Sequence, residues 1–211
     1  RMHPAISNLI GKVFYSDDDV EITTDILPEE RIINYRIPKP IVWLSTERLS
    51  KNEQQETTSK SFSNVCEAKI ILDELDYINR HNNTRDPLKV GIISAYSGQK
   101  TVIEKIVKPT NKKWNNVEIV IENVDAFQGS EVDVVIYSVV RSNTDKKIGF
   151  LKEQRRLNVA LSRAKSQVII VGNAAFMREA SKKEHNYFED VLIYIDSHTT
   201  NCELEVIQNG L

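Results

Sequence analysis

Asn123-Val124-Asp125-Ala126-Phe127-Gln128-Gly129-Ser130-Glu131, followed at once by the apolar run 132–140, is the stretch whose reading decides the fold. The run is rich in valine and isoleucine and almost continuous in apolar character, as expected of a strand covered on both faces of a parallel sheet. The residues before it form a polar, glycine-containing loop at the edge of that sheet, where doubly wound folds place ligands. Gly129 lets the backbone turn tightly or approach a ligand, Gln128 both donates and accepts hydrogen bonds, and Glu131 can accept from a ribose hydroxyl. On these residues alone, a polar connector is an equally good reading.

Outward from this stretch the same kind of run recurs. Residues 41–45, 89–94, 117–121 and 167–172 are short and β-branched, and helical patterns lie between them. Asn64 and Glu67 have the spacing of a capping box, and Ala68, Ile71, Leu72, Leu75 and Ile78 follow at helical intervals, predicting a helix over 65–81. Further helices are expected over 99–107, stopped by Pro109, over 153–164, and in the tail over 187–195. The alternation predicts an α/β fold with a mostly parallel sheet and helices on both faces.

Residues 46–62 are polar and lack apolar periodicity, so a mobile loop is expected there. Residues 141–153, with Lys146, Lys147 and Gly149, read as a second loop. Residues 16–36, with Asp17-Asp18-Asp19, suggest a strand or two at the domain edge. The expected organisation is a lead-in with edge elements over 1–40, the main domain over 41–180, and a C-terminal tail over 181–211.

The 211 residues carry a formal net charge of −2, so the composition has none of the basic excess of an electrostatic nucleic-acid binder, and any strand contact must be local. Two cysteines, Cys66 and Cys202, are too few for a disulfide scaffold and too far apart for a metal pair. No apolar run reaches the roughly 18 to 20 residues that span a bilayer, so a soluble, cytoplasmic protein is expected with no membrane partner. The histidines at 3, 81, 185 and 198 show no metal-ligand spacing, and no metal site is expected. The start, Arg1-Met2-His3-Pro4, reads as the interior of a longer chain.

Arg155-Arg156-Leu157-Asn158-Val159-Ala160-Leu161-Ser162-Arg163-Ala164-Lys165 is the second informative stretch. As one helix it puts Arg156 and Arg163 on a single stripe, two turns apart. Guanidinium groups on a stripe facing a sheet need an anionic partner, and their geometry suits two-pronged contact with phosphate. A solvated basic face is the alternative.

Five stretches in order resemble the C-terminal motor domain of superfamily 1B helicases, the group that includes the nonsense-mediated-decay helicase and senataxin. Arg1-Met2-His3-Pro4 resembles the end of a Q-Y-R-M-H-P signature, and Ser61, Asn64, Glu67 and Ala68 fit an S-x-x-N-x-x-E-A helix start. Gly91 to Gln99 resembles motif IV, Val124 to Asp133 motif V, and Arg156 to Arg163 motif VI.

The resemblance implies a RecA-like fold of the P-loop NTPase type, with ATP in a cleft between this domain and a preceding RecA-like domain. It implies that Arg163 and Arg1 act as catalytic arginines at the γ-phosphate. Glu131 then contacts the ribose, and Gln128, Gly129 and Arg156 complete the ATP-binding set. Ser94, Tyr96, Asn123 and Asp125 are the expected contacts to single-stranded DNA or RNA, with 5′ to 3′ polarity. Departures from the pattern loosen individual strand contacts: Ser94-Ala95-Tyr96 stands where the family more often has Thr-Pro-Tyr, and Asn123 where it often has Ser or Thr.

No G-x-x-x-x-G-K-[ST] occurs, so the chain lacks its own P-loop. By the resemblance, Mg2+ is held by the missing first motor domain. Asp73-Glu74-Leu75-Asp76 imitates a metal box but falls inside a predicted helix. The rival reading is a non-catalytic RecA-like docking or nucleic-acid-binding module. A stand-alone flavodoxin-like enzyme lacks any self-contained catalytic set.

Overall fold

The computed structural model describes residues 1–16, 22–108, 113–180 and 185–208. Six strands form one sheet, β1 (Ile41–Ser45), β4 (Leu88–Ser94), β5 (Val117–Asn123), β6 (Val132–Ser138), β7 (Ala164–Gly172) and β8 (Cys202–Val206). Their spatial order is β5-β4-β6-β7-β1-β8, and every pairing is parallel. The central strands are buried on both faces, which is why their sequences are apolar runs rather than alternating patterns.

Side chains alternate between two cores. Ile41 and Trp43 of β1, and Val168 and Ile170 of β7, join the core under α1 (Pro4–Phe14), α4 (Gln154–Leu161), α5 (Ala174–Glu179) and α6 (Tyr187–Ser197). Val42 and Leu44, with Ile169 and Val171, face α2 (Val65–His81) and α3 (Ser97–Val107) on the other side. The expected three-layer α/β arrangement is therefore present, and α2 occupies the residues predicted for it. No helix of the described residues is long and apolar enough to cross a membrane.

Several elements differ from the sequence reading. The helix expected over 153–164 stops at Leu161, because Ala164 already pairs with Val132 as the first residue of β7. Residues 46–62, expected as a mobile loop, contain a small antiparallel pair, β2 (Gln55–Glu56) with β3 (Phe62–Ser63). The amide of Gln54 donates to Ser142 O at 3.1 Å, fixing this hairpin to the loop after β6. Among the described residues of 16–36 there is no strand, only a short 3-10 turn at Pro28–Arg31. Pro109, read as the stop of α3, and Asp17-Asp18-Asp19 lie outside the described residues.

Helix α1 was not foreseen, although Ile6, Leu9, Ile10 and Val13 have helical spacing and His3 accepts a hydrogen bond from the Ala5 amide as N-cap. Strand β8 was hidden by its two glutamates, which an edge strand tolerates because only one side of it is paired.

Candidate nucleotide and nucleic-acid interface

At the amino edge of the sheet, three of the expected nucleotide residues meet. The Val132 amide donates to Arg163 O at 3.2 Å, which brings Arg163 beside Glu131 at the start of β6. The His3 amide donates to Lys165 O at 2.7 Å, placing the first residues of the chain along the same edge. Arg1 Nη1 then donates to Glu131 Oε1 at 2.7 Å, and its Nη2 donates to Ser162 O at 2.9 Å.

Arg163 is held differently. Its Nε donates to Val159 O at 3.1 Å and its Nη2 to Ser162 Oγ at 3.2 Å, both neutral oxygens. Burial first, then the neighbouring Arg1, lowers its pKa, and Glu131 acts in the opposite direction. A guanidinium nevertheless stays charged at any working pH. The cluster thus sets two arginines against one carboxylate, and among the described residues Arg163 has no carboxylate partner of its own.

Arg156 does not join this cluster. Because α4 ends before Arg163, the expected stripe is interrupted, and Arg156 instead pairs with Asp125 at 3.2 Å and with Glu153 at 3.4 Å. Gln128 and Gly129 are exposed on the loop that crosses from the carboxyl end of β5 to the amino end of β6. Buried Val124 and Phe127 anchor that loop, with the Phe127 ring lying where a side chain on Gly91 would sit. Gly129 has φ +89°, with open space around it.

The expected strand residues lie at the opposite, carboxyl edge. Ser94 Oγ accepts from the Tyr96 amide at 3.3 Å. Asn123 accepts from the Ala126 and Phe127 amides through its carbonyl, while its side-chain oxygen is buried without a partner. Asp125 is exposed. Tyr96 turns inward, 4 % exposed, edge-on to Phe62 at 5.7 Å, and burial raises the pKa of its phenol. Its ring therefore braces the loop and does not face the surface.

A buried polar network, which the sequence reading missed, ties this edge together. Glu67 is fully buried, and its carboxylate accepts from the Val140 amide at 2.9 Å and from Ser138 Oγ at 2.7 Å. Gln99 Nε2 donates to Ser138 Oγ at 2.9 Å, and Gln99 Oε1 accepts from the Asn64 amide at 2.7 Å. Val140 sits at φ +71°, a strained conformation for a β-branched residue, and the Glu67 bond holds it there. Only half of the expected capping box is made: Asn64 Oδ1 accepts from the Glu67 amide, but the Glu67 carboxylate points into the network. The missed signal was a glutamate in the first turn of a helix that also faces the sheet.

No three His, Cys, Asp or Glu side chains converge among the described residues. The Asp73-Glu74-Leu75-Asp76 stretch lies within α2, and Glu74 there accepts from Arg36 Nη2 at 2.8 Å.

A family model for an AAA domain, AAA_12, matches residues 1–175. The chain is 30 % identical to the regulator of nonsense transcripts 1 homolog of Neurospora crassa, over all of this chain and 19 % of that protein. It is 33 % identical to helicase sen1 of Schizosaccharomyces pombe, over 82 % of this chain and 10 % of that protein. The chain therefore spans under a quarter of the length of these relatives. A solved structure, the C-terminal domain of a possible DNA helicase from a Lactobacillus, superposes with a TM-score of 0.51 at 13 % identity, covering 97 % of both chains. The fold is thus that of a helicase C-terminal RecA-like domain, and the chain belongs to the AAA_12 domain family, as a C-terminal domain of the superfamily 1 helicases related to regulator of nonsense transcripts 1 and sen1.

Proposed function

We propose that this chain is the second motor domain of an ATP-dependent translocase on single-stranded nucleic acid, and that it completes the ATP site from across an inter-domain cleft. The observation that carries this reading is Arg163, a partly buried guanidinium that, among the described residues, is hydrogen-bonded only to neutral oxygens and is set beside Arg1 and Glu131. Such a group suits a phosphate arriving from outside the domain.

In this reading Arg163 and Arg1 stabilise charge on the γ-phosphate, and Glu131 accepts from the ribose. In the same reading a RecA-like domain on the other side of the cleft supplies the P-loop and the residues that hold Mg2+. Contacts from the two arginines favour a closed cleft while the γ-phosphate is present, and its loss opens the cleft. The crossing loop 124–131 links the nucleotide edge to the strand edge, with Arg156 and Asp125 at its far end.

The test is steady-state ATP hydrolysis by the full-length protein and its Arg163→Ala variant, with and without single-stranded DNA or RNA. Strand-stimulated turnover that collapses in the variant is expected, and it identifies the preferred track. A wild type that hydrolyses nothing with any strand would instead mark a docking module.

A further inference from the structure

Fifteen aromatic residues occur in the chain, and among the described residues Phe150 alone is exposed. Phe150 is 62 % exposed, whereas its neighbours Ile148 and Leu151 are 1 % and 3 % exposed. These two flanking anchors pin the backbone of the 3-10 turn Gly149–Lys152 and leave the phenyl ring no inward option. The turn is braced further because Arg141 donates from Nη2 to Lys147 O at 2.7 Å and stacks its guanidinium over Phe62 at 4.5 Å. Phe150 is thus an outward aromatic on a rigid support rather than the tip of a loose loop.

Its position is specific. The buried Tyr96 hydroxyl lies against the backbone at Gly149, so Phe150 stands beside the end of β4 where Ser94 leaves the sheet. Arg156, which pairs with Asp125, follows within the next helix, and Lys147 and Arg155 are exposed on either side in sequence. An isolated exposed apolar side chain needs no explanation, but a ring held outward in a segment where Lys146, Lys147, Lys152, Arg155 and Arg156 outnumber Asp145 and Glu153 matches how single strands are bound: bases stack while Lys and Arg meet phosphates.

We propose that Phe150 is a base-stacking platform for single-stranded nucleic acid, taking the aromatic role that the inward-facing Tyr96 cannot fill. This rests on the strand-binding reading of the carboxyl edge given above. A phenyl face offers no hydrogen-bond readout, so stacking there is tolerant of sequence and accepts DNA and RNA alike.

The test is titration of the chain, and of Phe150→Trp and Phe150→Ala, with oligothymidylate and oligouridylate at low salt. The native tryptophans report little on this site, since Trp43 is buried in the core and Trp114 lies just before β5, the strand at the far edge of the sheet. The platform predicts fluorescence quenching in Phe150→Trp that saturates with binding, and roughly 5- to 150-fold weaker binding by Phe150→Ala. Unchanged melting of both variants shows that the fold is intact. Wild-type binding with no quenching and no loss in Phe150→Ala overturns the platform and leaves the ring for a protein surface, while the strand reading survives. No wild-type binding of either oligonucleotide overturns the strand reading and the platform together.

Discussion

The two edges of the sheet handle polar groups in opposite ways. At the amino edge, Arg1, Glu131 and Arg163 are partly exposed, and the charges do not balance within the described residues. At the carboxyl edge, Glu67, Ser138, Gln99 and Asn64 are buried, and they are hydrogen-bonded to one another and to nearby backbone. A buried polar group without partners costs free energy, so the second arrangement rigidifies the scaffold; a cation left without a carboxylate is positioned for a ligand. Under the proposed function, the contrast separates residues left open to a ligand from residues that hold the shape of the scaffold.

The largest expected effect tests the amino edge. Arg163→Ala should lower strand-stimulated ATP turnover of the full-length protein by roughly three to five orders of magnitude, while this domain's stability moves by less than about 0.5 kcal/mol. A large fall in melting temperature would erase the distinction between the edges.

Glu67→Ala should do the reverse. It leaves the Val140 amide and the Ser138 hydroxyl without their acceptor and removes the restraint on a strained residue, costing roughly 2–4 kcal/mol in urea unfolding. A loss within the scatter of surface variants would show that the network is dispensable.

The same residue predicts a pH dependence. Burial raises the Glu67 pKa from its ordinary 4.5 to about 8, against the opposing pull of its hydrogen bonds to Ser138 and Val140. The folded state therefore keeps a proton that the unfolded chain releases above about 4.5, so this contribution is complete below that pH. It is lost as pH rises from there to about 8, and levels off above. Glu67→Gln should remove this component, so the stability gap between wild type and variant should change between pH 5 and pH 9, values chosen to bracket most of the window. A gap that stays constant would contradict it.

Two glycines give smaller contrasts. A Cβ on Gly91 would lie 2.5 Å from Cζ of Phe127, the ring that anchors the crossing loop, so Gly91→Ala should cost roughly 1–3 kcal/mol in urea unfolding. At Gly129 nothing stands within 4 Å, and only the positive φ opposes a side chain. Gly129→Ala should therefore cost about 1 kcal/mol. A smaller loss at Gly91 than at Gly129 would mean that the crossing loop is not anchored through Phe127.

The sequence by itself determined the layered α/β fold, since apolar runs such as 132–140 and a capped helix such as α2 are set by local pattern and solvent exclusion. The resemblance of its motifs to those of superfamily 1B helicases also implied that Arg1, Glu131 and Arg163, far apart in the chain, belong to one group. Only the tertiary structure decided which edge each residue occupies. The early end of α4 parted Arg156 from Arg163 because β7 must begin at Ala164 to pair with Val132. Packing against Phe62 turned Tyr96 inward, and the buried flanks of Phe150 turned that ring outward. Side-chain direction at the ends of strands depends on which neighbours fill the space beside them, and those neighbours are distant in sequence. The periodicity of a segment carries no information about them.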